Sequence, residues 1–112
     1  MPIPDSNRAV VDDAKVRDYL LNLSHLVGGS KAVWFHSLGY TRDDWPYLSA
    51  DLLAIARGCE RFNIETTPFG VKYKAVGSVG RDGHQSGLVL TVWIVEDDDP
   101  PRLVTAYPVD AK

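Results

Sequence analysis

Apolar residues recur at helical spacing in the first half of the chain and at alternate positions in the second, with the change near Phe62. Val16, Tyr19, Leu20 and Leu23 follow the i, i+3, i+4, i+7 pattern of a first helix, and Asp12 and Asp13 stand near its positive N-terminal end. Trp34, Phe35 and Leu38 predict a second helix over about Lys31 to Leu38, with Ser30 as its N-cap and Gly39 just past its last turn. A third helix begins between Asp44 and Pro46, since proline fits a first turn, and carries Leu48, Leu52, Ile55 and Cys59 on one stripe. Cys59 is therefore expected in the core. Residues Met1 to about Ala9 read as an irregular arm whose order depends on packing.

Beyond Phe62, Phe69, Val71, Tyr73 and Ala75 alternate with Gly70, Lys72 and Lys74, the pattern of a half-buried strand with a lysine-bearing outer face. Arg81 to His84 form a turn. Leu88 to Val95 is almost continuously apolar and β-branched, which predicts a central strand covered on both faces, and Asp97 to Pro101 is the next loop. In a last strand, Arg102 to Tyr107, strict alternation puts Leu103, Thr105 and Tyr107 on one face and Val104 and Ala106 on the other. Helices followed by strands predict an α+β class, with three N-terminal helices packed on a small C-terminal antiparallel β-sheet, in one domain spanning residues 1–112.

Composition narrows the function classes. At 112 residues and 45% hydrophobic, the chain can bury one core. It has no long apolar run and no charged-then-apolar leader, so neither a membrane span nor a secretory signal is read from it. A single cysteine excludes an internal disulfide framework and suits a cytoplasmic location. The net charge of −3 argues against indiscriminate nucleic-acid binding. It leaves room for a local basic cleft, because acidity gathers in Asp43-Asp44 and Glu96 to Asp99, whereas Lys72, Lys74, Arg81 and Arg102 fall in or beside strands.

The stretch Ser24 to Lys31 joins His25 to Lys31 through Gly28 and Gly29 at the start of the second helix. A lysine there opposes the helix dipole and gains a purpose if an anion visits the exposed amides, although first-turn lysines are usually only solvated. Lys31 also shares a helical face with Trp34, Phe35 and Leu38, so its ammonium must snorkel outwards or point into a cleft. The glycines lack P-loop spacing, the histidines are too scattered for zinc, Asp97 to Asp99 do not follow an EF-hand pattern, and no serine sits in a nucleophile elbow. No cofactor is expected. His25, Lys31, His84, Thr105 and Tyr107, with Lys72, Arg81 and Arg102, form a set suited to metal-free RNA cleavage, which needs a base, an acid and cations for the phosphorane. The bland alternatives are a histidine capping carbonyls, a threonine chosen for β propensity and a core tyrosine.

Asp18 to Asn22, His25 with Gly28 and Lys31-Ala32, Phe35 with Leu38 to Tyr40, Thr67 to Gly70, Thr91 to Ile94 and Leu103 to Pro108 together resemble a bacterial toxin-domain family found in toxin–antitoxin pairs and at the tips of polymorphic toxins. Its order of helices then sheet is similar to the barnase, EndoU, colicin and RelE-like (BECR) nucleases. The resemblance implies a metal-independent endoribonuclease in which His25, Lys31, Thr105 and Tyr107 are catalytic, His25 serving as general base or acid, with Lys72, Arg81, His84 and Arg102 contacting substrate. It implies a cognate antitoxin or immunity protein as partner and an RNA substrate, whether tRNA, mRNA or rRNA. Leu26 departs from the proline that the family's pattern places after the histidine, which would loosen the placement of His25.

The competing class is a non-catalytic interaction module gripping a protein through Trp34, Trp45 and a sheet edge, and the net acidity favours it. A toxin acting on another substrate is a further alternative. The exposed edge at Arg102 to Tyr107 would suit a partner or a second copy of the chain.

Overall fold

The computed structural model describes residues 3–22 and 29–109. The first helical stripe winds more widely than its spacing predicts. The Leu21 amide donates to the Val16 carbonyl at 2.9 Å, an i→i+5 bond, and Lys15–Leu20 is a π-helix. On such a turn positions i+4 and i+5, rather than i+3, return to the starting face. Val16, Leu20 and Leu21 are accordingly buried, and Tyr19 is only half-buried, packed at the margin of the core. Leu23 lies outside the described residues.

Helix α1, Gly29–Ser37, starts one residue ahead of the expected cap, so Ser30 lies within its first turn. It closes in a Schellman motif. The amides of Gly39 and Tyr40 donate to the carbonyls of His36 and Phe35 at 3.0 and 3.2 Å, Gly39 takes φ 96°, and the Phe35 and Tyr40 rings meet edge to face. The Tyr40 hydroxyl then accepts from the Gly80 amide at 2.8 Å and donates to the Asp51 carboxylate, tying the end of one strand to the third helix. Burial, reinforced by Asp51, raises the pKa of Tyr40 well above the usual phenol range, so it holds its proton.

A capping box introduces helix α2, Trp45–Gly58. The amide and hydroxyl of Thr41 each donate to the Asp44 carboxylate at 2.9 Å, and Pro46 occupies the first turn. These donors, the amide first, hold the Asp44 carboxyl below its usual range. A depressed folded pKa stabilises above the unfolded value and is lost as pH falls through the folded one. Asp44→Ala is therefore expected to cost ~1 kcal/mol at neutral pH and progressively less below about pH 4. Urea unfolding of both proteins at the two pH values checks this, and a cost that persists undiminished in acid would contradict it.

Leu48, Leu52, Ile55 and Ala56 bury one face of α2. Cys59 is only half-buried, because the backbone turns extended at that residue and leaves the helix. The N-terminal arm is packed: Ile3 is buried, its amide donates to the Ala56 carbonyl at 3.2 Å, and Ser6–Arg8 make a 3-10 turn. No helix among the described residues is long and apolar enough to cross a membrane.

Four antiparallel strands run in sequence order: β1 Asn63–Thr67, β2 Gly70–Val79, β3 Gly87–Val95 and β4 Arg102–Pro108. Strand β1 has no alternating apolar pattern, and Phe69, expected to open the inward face of β2, is 80% exposed in the β1–β2 turn. Gly70 there has φ 145°, and a Cβ would lie 2.5 Å from the Val95 carbonyl oxygen. The inner face packs Ala75, Val79, Val89, Thr91, Trp93, Leu103 and Ala106 beneath the helices, and Gly77 admits Ile55. The fold is thus α+β, with the helices against one face of a C-terminal antiparallel sheet.

The alternation expected in β4 is broken. Trp93 pairs with Leu103 but Val92 pairs with Thr105, so Val104 is the extra residue of a β-bulge. Leu103 and Ala106 therefore both face the core, and Thr105 and Tyr107 lie on the opposite, outer face. This corrects the expected grouping of Leu103 with Thr105 and Tyr107.

Candidate functional site

Lys31 projects from the first turn of α1 toward β4. Its ammonium donates to the Tyr19 hydroxyl at 2.9 Å and to Thr105 Oγ1 at 3.0 Å, and lies 5.0 and 5.7 Å from the ring centres of Tyr19 and Tyr107. Three elements converge: the π-turn delivers Tyr19, α1 delivers Lys31, and the bulge aims Thr105 and Tyr107. All four side chains are partly accessible, Tyr107 at 38%. Lys31 makes no ion pair among the described residues, whereas Lys74 is paired with Glu65 at 3.0 Å and Arg102 with Glu96 at 2.9 Å. A cation held by hydroxyls and flanked by aromatic faces keeps its positive field available to an anion.

The neighbouring ammonium lowers the pKa of the Tyr19 phenol, chiefly through the hydrogen bond, against an opposing effect of burial. Tyr19 is the member that residue spacing misses, because a 3.6-residue period assigns it to the core stripe. Only the i→i+5 bond reveals its direction.

The remaining candidates divide. Lys72 and Arg102 lie on one cross-strand row of the outer face with Glu65 and Ile94. That row is adjacent to the one holding Lys74, Val92 and Thr105. Arg81 and His84 are not brought to Lys31. They sit at the other end of α1, where the Arg81 amide donates to the Leu38 carbonyl at 3.0 Å, the Arg81 guanidinium lies 3.8 Å from the centre of the Tyr47 ring, and the His84 ring packs on Gly39. A glycine suits that place because a Cβ on residue 39 would come within 2.6 Å of the imidazole. His25 lies outside the described residues, as do Leu26 and Gly28.

A cleft of about 510 Å³ lies between residues 58–63 and the sheet, reaching Lys74, Val76 and Leu90. It opens onto the outer face, since Leu90 stands directly across from Tyr107. No three His, Cys, Asp or Glu side chains among the described residues cluster as metal ligands.

Comparison with known proteins adds a family and a fold. A family model described as Domain of unknown function (DUF6883) matches residues 2–110. A chain of a solved complex, described as a contact-dependent growth inhibition toxin–immunity protein complex from Klebsiella pneumoniae 342, is similar to this one with a TM-score of 0.76 at 14% identity. The match covers 96% of this chain and 98% of that one. At that identity the likeness establishes the fold alone. No curated protein matches the chain.

Proposed function

The chain belongs to the DUF6883 family, whose description assigns no activity, and from the Lys31 cluster we propose that it is a toxin acting as a metal-independent endoribonuclease of the barnase, EndoU, colicin and RelE-like type. The observation that carries this reading is the Lys31 ammonium, bonded to Tyr19 and Thr105 hydroxyls at 2.9 and 3.0 Å and to no carboxylate among the described residues. Such a group meets the main electrostatic need of phosphoryl transfer, a fixed positive charge where the phosphorane gathers negative charge.

In the reaction, a ribose 2′-oxygen attacks the adjacent phosphorus and the 5′-oxygen leaves. Lys31 balances the equatorial oxygens. Thr105 and Tyr107 position the phosphate, and His25 moves a proton as general base or acid. Lys72 and Arg102, one cross-strand row away, meet the flanking backbone, whereas Arg81 and His84 meet only a substrate that runs the length of α1. An immunity protein or antitoxin is the partner of this reading, covering the outer face and its cation. The resemblance in fold to a chain of a toxin–immunity protein complex supports that partner.

Inducible expression in a bacterial cytoplasm tests the proposal, with the natural chain beside His25→Ala and Leu26→Pro versions and total RNA examined after lysis into chelator. Growth arrest with RNA cleavage is expected from the natural chain, an effect larger with Leu26→Pro, and a loss of about a hundredfold or more with His25→Ala. Normal growth and intact RNA in all three would instead favour a non-catalytic interaction module.

A further inference from the structure

We propose that the cleft beside residues 58–63 holds a nucleobase of the RNA, that of a nucleotide flanking the phosphate at Lys31, and gives cleavage a base preference. The inference rests on the ribonuclease reading and adds a recognition site to it.

The sheet sets the cleft next to the cation. Two cross-strand rows of the outer face join them: Asn63, Lys74, Val92 and Thr105 in one, and Val76, Leu90 and Tyr107 in the other. The first row ends on the hydroxyl that holds Lys31, and the second on a ring beside it. Paired strands lie about 4.8 Å apart, so Leu90, Lys74 and Val76 are one or two strands, roughly 5 to 10 Å, from Thr105 or Tyr107. An RNA that crosses the strands from Lys31 passes over the cleft.

Its walls suit a neutral heterocycle better than a second phosphate. The volume of about 510 Å³ is in the range of small-molecule sites, and Phe62, Val76 and Leu90 supply apolar surface. Arg61 is balanced by Glu60 across the lining, and Lys74 is already paired with Glu65 at 3.0 Å. The Asn63 side chain is exposed, and no hydrogen bond engages its amide among the described residues.

The edge of β2 adds main-chain groups. Its ladder with β1 ends at Asn63 and Lys74, so Ala75 to Val79 have no strand on that side among the described residues. The two-residue loop Pro68-Phe69 makes Thr67 and Gly70 the closing hydrogen-bonded pair, and alternation then turns the N–H and C=O of Lys72, Lys74 and Val76 to the same side. The Ala75 carbonyl agrees, since it accepts from Thr91 of β3. Val76 therefore directs one donor and one acceptor past the end of β1, where the cleft lies. A donor beside an acceptor matches the edge of a base, and the Asn63 amide offers a second such pair.

Base preference at the cut tests the assignment. Total bacterial RNA is digested by the purified natural chain in chelator and the cut is mapped. Synthetic copies of the RNA that is cut then carry each base in turn at the positions flanking the cut. The natural chain is expected to favour one base by about tenfold or more at one position. Asn63→Ala should reduce that preference on the order of tenfold at that position alone, and Asn63→Asp, which keeps the shape and loses the amide donors, should change which base is favoured. Denaturant unfolding checks that both exposed-site variants stay folded. Cleavage without a preference, or with the same preference in all three proteins, would overturn the base site, leave the ribonuclease reading standing and turn the open β2 edge over to a protein strand. No cleavage of any RNA by the natural chain would overturn both.

Discussion

Lys31→Met is expected to lower RNA cleavage on the order of a thousandfold, or about 4 kcal/mol of transition-state stabilisation, while the protein stays folded. Methionine keeps much of the apolar stem and removes the charge that Tyr19 and Thr105 hold between α1 and β4. Those two hydroxyls are partly accessible, so water replaces the ammonium as their partner and the change in stability should stay within about 1 kcal/mol. Single-turnover cleavage of an RNA carrying one mapped site, with denaturant unfolding alongside, checks both halves. Retained activity in a folded Lys31→Met protein would remove Lys31 from the chemistry, and unfolding would assign it to structure.

Trp93→Ala is the largest expected loss of stability, about 3–5 kcal/mol. Trp93 is fully buried on the core face of β3, where its indole N–H donates to Thr91 Oγ1 at 2.8 Å, and the Thr91 hydroxyl donates to the Ala75 carbonyl at 2.8 Å. Truncation opens a cavity under the helices and leaves one acceptor of that relay without its donor. Natural domains have only about 5–15 kcal/mol of stability, so this variant should be partly unfolded at body temperature. Trp93→Phe fills most of the volume and should lose less. Equilibrium unfolding of both variants tests the ranking, and a loss below about 1 kcal/mol for alanine would mean that the sheet repacks around the gap.

Residue spacing made the elements legible where a single periodicity held. The stripe of α2, the glycine that ends α1, and the apolar central strand all follow from one local rule each, and the structure bears them out at Leu48, Leu52 and Ile55, at Gly39, and from Thr91 to Ile94. Legibility failed where the backbone departs from its ideal repeat. The π-turn at Lys15–Leu20 moves Tyr19 to the margin of the core, and the bulge at Val104 reverses which face Thr105 shares with Leu103. Neither departure has a side-chain signature: the first is a local shift of the backbone bond from i+4 to i+5, and the second is set by the register of β4 on β3. Both departures converge on Lys31. Residue chemistry singled out Lys31, Thr105 and Tyr107 one by one, and only the folded backbone brings them together with Tyr19. Strand β1 was hidden for a different reason: its residues are almost all exposed, so no apolar alternation marks them.

The chemistry of the RNA ends left by the purified chain in the presence of chelator tests the ribonuclease assignment most directly. Transfer through the 2′-oxygen under Lys31 predicts 2′,3′-cyclic phosphates and 5′-hydroxyls at every cut, read by end-specific ligation and sequencing. Intact RNA, or cuts bearing 3′-hydroxyls and 5′-phosphates, would contradict it.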